Sequence, residues 1–244
     1  MTVKNTANKA IILAAGLGKR LRPITEQTPK PLIEINGRKM IETMLDGLIQ
    51  NGIAEVYVIV GHLKEQFEHL PQKYWKIKLE LSENPYYSTC NNISSLYVAR
   101  DHLGDCIIME GDLLINNAEI LNPQFETSGY CSVWTEETDE WLQTTDQNDI
   151  VSSCSRTGGK NGWRLFGVSF WSRPDGEKLK VHLEEAFEKN GERDIFWDDI
   201  PLFRHSHEYK LKIKKISRSD VAEIDSLQEL TGIDSSYKKY RGGN

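Results

Sequence analysis

Residues 10–32 read A-I-I-L-A-A-G-L-G-K-R-L-R-P-I-T-E-Q-T-P-K-P-L. The apolar run Ala10 to Ala14 is the length of a buried strand, and Gly16 ends it in a Gly-rich loop. Working outward, Met40 to Ile49 sets Met40, Ile41, Met44, Leu45, Leu48 and Ile49 on one helical face, closed by Asn51-Gly52. Glu55 to Val60 is a second strand, followed by a weaker helix over Leu63 to His69 and an alternating strand at Ile77 to Leu81. Asn92 to Leu103 reads as a helix and Cys106 to Met109 as another buried strand. Strands alternating with helices predict an α/β fold, a central mostly parallel sheet covered by helices on both faces.

The second half is less regular. Tyr130 to Thr135 and Leu165 to Trp171 are strand-like, Gly176 to Lys189 is an amphipathic helix, Tyr209 to Ile216 is a strand, and a last short helix begins at Leu227. Neither repeats nor low-complexity linkers interrupt the chain, so a single domain over residues 1–235 with a polar, linker-like tail at 236–244 is the expected organisation.

Composition removes several function classes. The 244 residues carry a formal net charge of −6. Without an excess of Lys and Arg, general nucleic-acid binding is not expected. The longest apolar runs fall far short of the ~20 residues a membrane span needs. Cys90, Cys106, Cys131 and Cys154 are far apart and form no C-x-x-C pair, so neither a zinc site nor a redox motif is expected of them. Free thiols behind a polar N-terminus, Met1 to Lys9, lead us to expect a cytoplasmic location.

In this acidic chain Lys19, Arg20, Arg22 and Lys30 gather four cations around Gly16 and Gly18. Such a loop leaves the carboxyl end of the first strand, where open α/β sheets bind ligands, and its glycines let backbone N–H groups approach phosphates. Taken alone, Gly16 and Gly18 are equally compatible with a tight turn. The loop is neither a Walker motif nor a dinucleotide fingerprint, lacking the Lys-Ser/Thr pair of one and the third glycine of the other.

The whole string, through Gly16, Gly18, Arg20, Pro23, Thr25, Pro29, Lys30 and Pro31, resembles the signature of the sugar-nucleotidyltransferase-like superfamily. That resemblance implies a Rossmann-like three-layer fold with a small acceptor-binding insertion: a nucleotide-binding half at about 10–115 and an acceptor-binding half at about 116–235. It implies that Leu13, Ala14, Ala15, Gly16 and Gly18 line the nucleotide, that Arg20 holds the departing β,γ-phosphates, and that Lys30 contacts the α-phosphate. Asp112, at a strand end in Met-Glu-Gly-Asp, and Asp225, in Ala-Glu-Ile-Asp-Ser, match the family's metal positions and would hold Mg²⁺. The alternatives are a turn or cap role for Asp112 and a helix N-cap role for Asp225. Glu110 and Glu223, two residues before each Asp, are candidates to support them.

Asn84-Pro85-Tyr86-Tyr87, Asn91-Asn92-Ile93-Ser94-Ser95, Glu140-Trp141, Phe196-Trp197-Asp198 and Glu223-Ile224-Asp225 are similar to the bacterial CTP:phosphocholine cytidylyltransferases. This implies transfer of CMP from CTP to a small phosphorylated amine, phosphocholine favoured, with 2-aminoethylphosphonate, phosphoethanolamine and a sugar 1-phosphate as alternatives. Asn84, Asn92 and Ser94 would read the base. Trp141, Phe196 and Trp197 would form an aromatic box for an ammonium head, with Asp194 and Asp198 beside it. The competing reading makes the aromatics core and the acids a solvated face. The Glu-Lys-Pro lysine of sugar-transferring members is absent, and Arg156, Lys160 and Arg164 are candidates for its role beside the alternative of an exposed loop. A nucleotide-sensing module without catalysis is the competing class, disfavoured by the two metal carboxylates. His205-Ser206-His207 has no third metal ligand nearby in sequence and reads as a surface pair. Oligomeric state stays open, a homodimer or a fused partner being compatible with the chain.

Overall fold

A computed structural model of the chain describes residues 4–242; Met1 to Val3 of the polar N-terminus and residues 243–244 of the tail lie outside it. Its centre is a nine-stranded mixed sheet. Four parallel strands, Lys9–Ala14 (β1), Glu55–Val60 (β2), Lys78–Glu83 (β3) and Cys106–Glu110 (β4), lie in the order β4-β1-β2-β3. On the side of β4 away from β1 runs the long antiparallel strand Gly159–Trp171, which pairs in turn with Gly129–Thr138 and Leu142–Thr145.

Side-chain parity along the strands builds two cores, because successive residues point to opposite faces. Ala10, Ile12, Val56, Val58, Ile107 and Met109 face one cluster with the helix Met40–Gln50 (α1). Ile11, Leu13, Tyr57, Ile59, Cys106 and Ile108 face the other, under the helices Ile93–Val98 (α2) and Arg173–Glu184 (α3). With both faces covered, the strands read as continuous apolar runs in sequence, as β1, β2 and β4 do, while the edge strand β3 alternates.

Several sequence expectations shift. The helix expected over Asn92 to Leu103 stops at Val98; Ala99 leaves helical geometry at φ −84°, ψ 0°, and a 3-10 turn, Arg100–His102, follows. The helix expected from Gly176 starts at Arg173: Ser172 caps it by accepting a hydrogen bond from the Asp175 backbone N–H, and Pro174 sits in the first turn. Its last part, Glu185–Lys189, widens to a π-helical turn. The strand expected over Tyr209 to Ile216 is reduced to Lys214–Lys215. Its backbone is divided between two partners, Lys212 N–H donating to Ser128 O and Ile213 N–H to Asp149 O, so no continuous ladder forms. The tail is not a free linker over residues 235–242: Ser235–Gly242 is a 3-10 stretch, and the Tyr237 hydroxyl donates to Glu34 O at 2.6 Å.

The second core centres on Trp171, fully buried at the end of its strand. Its indole donates to Ser169 Oγ at 2.9 Å, and its ring meets Tyr130, Trp197 and Tyr209 edge-on at 5.8–6.2 Å. Trp171→Ala is expected to lower unfolding stability by about 3–5 kcal/mol in urea titrations, the cost of an aromatic-sized cavity. A loss below about 1 kcal/mol would mean the cluster repacks freely.

Candidate active site

A cavity of about 670 Å³ opens at the carboxyl ends of β1 and β4. Leu13 to Leu21 line one side, Asn84 and Tyr87 to Asn92 another, and Lys30, Glu110, Asp112, Asp194 and Asp225 converge on it. The predicted loop is built as its residues require. Gly18 adopts a left-handed φ of 59°, and a Cβ there would strike Thr25 Cγ2 at 2.7 Å. The Thr25 hydroxyl donates back to Gly18 O at 2.8 Å, tying the two ends of the loop together. At Gly16 a Cβ would meet nothing, so that glycine leaves the cavity side open. Gly111 has the opposite constraint: a Cβ would lie 2.6 Å from Leu13 O, so only glycine lets β4 turn beside β1 into Asp112.

The loop lysine and both expected metal carboxylates meet. Lys30 Nζ lies 2.9 Å from Asp112 Oδ2 and 2.8 Å from Asp225 Oδ1, and Arg20 Nη2 lies 2.6 Å from the same Asp225 oxygen. Burial opposes the charge on Lys30, but the two carboxylates outweigh it and hold the ammonium above its ordinary value. Asp225 reaches this point from 113 residues away in sequence. The short strand Val221–Glu223 pairs antiparallel with Leu113–Ile115, directly after Asp112, and Ile224 N–H donates to Asp112 O. Beyond Asp225, Ser226 is the N-cap of the helix Leu227–Ile233, with Glu229 completing a capping box and also accepting from Asp225 N–H at 2.8 Å. The cap role is thus taken by Ser226, and the Asp225 carboxylate is turned toward Lys30.

Asp112 Oδ1 is buried and has no hydrogen-bond partner among the described residues. A buried unpaired carboxylate oxygen beside a second carboxylate suits a hard divalent cation, which prefers oxygen ligands.

Behind this pair the cavity is acidic. Glu110 Oε1 accepts from Trp197 Nε1 at 2.9 Å and from Asn92 Nδ2 at 3.0 Å, while Asn92 Oδ1 accepts from Trp197 N–H at 3.0 Å. Gly167 makes the space, since a Cβ there would lie 2.6 Å from Glu110 Cγ. Burial, with Asp198 and Asp112 nearby, pushes the Glu110 carboxyl well up. Glu223 is pushed up to about 8 by burial and by Asp112 and Asp225, with Arg164, 2.9 Å away, opposing.

The other expected residues are placed less simply. Asn84 and Ser94 line the cavity, but Asn84 donates to Ser94 Oγ and Ser95 Oγ and accepts from Tyr86 N–H, and Ser94 donates to Asn91 O. Asp194 lines the cavity; Trp141, Phe196, Trp197 and Asp198 are not among its lining residues. Trp197 is a core residue, 2% exposed, stacked on Tyr130. Trp141 meets Phe196 and Phe203 edge-on at 5.6 and 5.5 Å. The guanidinium of Arg156 lies 3.9 Å from the Phe203 ring centre and 5.9 Å from that of Trp141, anchored by Nε at 2.7 Å from Asp199 Oδ1. Lys160 and Arg164 lie on the strand Gly159–Trp171 and not in a loop; Lys160 pairs with Glu137 at the exposed end, and Arg164 points to Glu223. The lining segment Tyr87 to Asn91 went unremarked as a whole in the sequence, although its run of Ser, Thr and Asn before a helix was a signal for it.

Asp198 carries a pH consequence. Burial raises its carboxyl to about 7, Tyr130 opposing and Asp199 adding to the rise. The folded state therefore holds a proton that the unfolded chain releases near the usual carboxylate value. Stability from this group is full at low pH and is lost as pH climbs toward about 7. Thermal midpoints of the ligand-free protein should fall between about pH 4 and 7, and Asp198→Asn should flatten that decline; an unchanged slope in the variant would rule Asp198 out as its source.

Residues 9–126 match the nucleotidyl transferase family. Over 93% of its length the chain is 38% identical to a 2-aminoethylphosphonate cytidylyltransferase of Lancefieldella rimae, covering 92% of that protein. It is 35% identical to a choline-phosphate cytidylyltransferase of Streptococcus pneumoniae over 94% of this chain and 98% of that one. The solved structure of CTP:phosphocholine cytidylyltransferase from Streptococcus pneumoniae superimposes with a TM-score of 0.86 at 34% identity, over 93% of this chain and 98% of that one. Among the described residues no helix is long and apolar enough to cross a membrane. The loop, the paired carboxylates and these likenesses agree, and the chain belongs to the nucleotidyl transferase family.

Proposed function

We propose that the protein is a Mg²⁺-dependent cytidylyltransferase that moves CMP from CTP onto a small phosphorylated or phosphono amine, releasing pyrophosphate and a CDP- or CMP-linked amine. The observation that carries this reading is the convergence, in one cavity, of Lys30 and Arg20, the Asp112–Asp225 pair and the buried carboxylate of Glu110. An oxygen of the acceptor's phosphoryl or phosphonyl group attacks the α-phosphorus, the new P–O bond forms, and the bond to the bridging oxygen breaks toward pyrophosphate. Lys30 opposes the charge that builds at the α-phosphate, and Arg20, mostly exposed at the cavity mouth, meets the departing phosphates. Asp112 and Asp225 would hold the divalent ion, which would supply charge neutralisation at the phosphate oxygens.

For the amine, a primary ammonium is favoured, 2-aminoethylphosphonate being the representative acceptor. Arg156 already covers Trp141 and Phe203, and Trp197 is turned into the core, so an aromatic box of the kind a quaternary head requires is not free. The carboxylates of Glu110 and Asp194 on the cavity wall suit a head with three N–H donors. Phosphocholine is the second reading, supported by the half-exposed Phe196 set edge-on against Trp141.

Pyrophosphate release with each nucleoside triphosphate and a panel of 2-aminoethylphosphonate, phosphoethanolamine, phosphocholine and glucose 1-phosphate should give the highest kcat/KM with CTP and a primary amine. Turnover with glucose 1-phosphate and with no amine would overturn the assignment. Lys30→Met, checked for folding by circular dichroism, is expected to lose about 10²–10³-fold in kcat, as removal of one preorganised electrostatic group does. A loss under tenfold would remove Lys30 from the α-phosphate.

A further inference from the structure

In the fold His205 and the neighbouring Glu208 meet a further histidine from a distant part of the chain. His182, on α3, stacks on His205 with ring centroids 3.7 Å apart and planes 13° from parallel. Glu208 lies between the two imidazoles: Oε1 is 2.9 Å from His205 Nδ1 and Oε2 is 3.5 Å from His182 Nε2. One ligand atom from each of His182, His205 and Glu208 falls within a 4.8 Å sphere of mutual distances. Ligands each about 2.0–2.1 Å from a zinc ion stand closer together than that, and the lone pairs lie in the ring planes, so binding turns the two stacked imidazoles toward each other about Glu208.

Two features separate this cluster from a chance surface group. His182 is buried, and its Nδ1 lies 2.8 Å from the Tyr209 hydroxyl. That contact fixes the ring and leaves Nε2 toward Glu208, the arrangement in which an outer partner orients a ligating histidine. His207 stays outside the group: its ring is 79% exposed and its Nε2 is 3.8 Å from Glu208 Oε1.

We propose that His182, His205 and Glu208 bind a zinc-class divalent ion, leaving its fourth position to water. None of these residues lines the nucleotide cavity, so the site is distinct from Asp112 and Asp225. Imidazole nitrogens with one carboxylate select zinc-type ions over Mg²⁺, which keeps oxygen ligands. Such an ion would clamp the end of α3 to the segment that leads into Tyr209.

The test uses untagged, metal-stripped protein in excess Mg²⁺, titrated with Zn²⁺ against a chromophoric chelator, with Co²⁺ absorption reporting the ligand geometry. Wild type and the Asp112→Asn/Asp225→Asn variant should each take up one equivalent, accompanied by a rise in thermal midpoint. His205→Gln and Glu208→Gln, both at partly exposed positions, should lose that equivalent and the rise. No Zn²⁺ uptake by wild type, uptake lost in the Asp112→Asn/Asp225→Asn variant, or undiminished uptake in the His205 and Glu208 variants would overturn the proposal.

Discussion

The three-way contact of Lys30 with Asp112 and Asp225 is the constraint around which the site is arranged. Each partner comes from a different part of the chain: the loop after the first strand, the turn after β4, and a short strand near the C-terminus. A mostly buried ammonium between two carboxylates is tolerated because each charge is paired, whereas any one alone would face a desolvation cost of several kcal/mol. The backbone supports the geometry on both sides. Gly111 lets Asp112 turn beside the phosphate loop, and pairing of Val221–Glu223 with Leu113–Ile115 sets Asp225 opposite.

The same contact leaves a local imbalance. Glu110, Asp112, Asp198, Glu223 and Asp225 crowd a small volume, and burial raises the proton affinity of Glu110, Asp198 and Glu223. Carboxylates held uncomfortably in their ionised form are a reservoir that a bound cation relieves. The metal ion proposed for Asp112 and Asp225, and the ammonium proposed beside Glu110, would both act in this direction. The hydrogen-bonded triangle of Glu110, Asn92 and Trp197 links the start of α2 to the second half of the chain.

Much of this was legible in the sequence. Buried strands surrounded by helices declare themselves as short apolar runs, and β1, β2 and β4 appear within a residue or so of their expected bounds. The Gly16–Pro31 string marked the loop because its residue types answer local demands, such as the left-handed φ at Gly18. The second half was harder to read. Its backbone partners are distant in sequence, as with Lys212 and Ser128, so no local period records the pairing.

The sequence by itself determined the order of these features along the chain: a Gly-rich cationic loop, a carboxylate at the fourth strand end, and a second one late. Local propensity, glycine geometry and charge clustering are properties of neighbouring residues, and they survive being read one window at a time. Only the tertiary structure decided which aromatics are free and which are core, that Arg156 rests on Trp141 and Phe203, and that His182 stands over His205. Those outcomes depend on packing between segments tens of residues apart, where burial and mutual distance, and not residue type, set the role of each side chain.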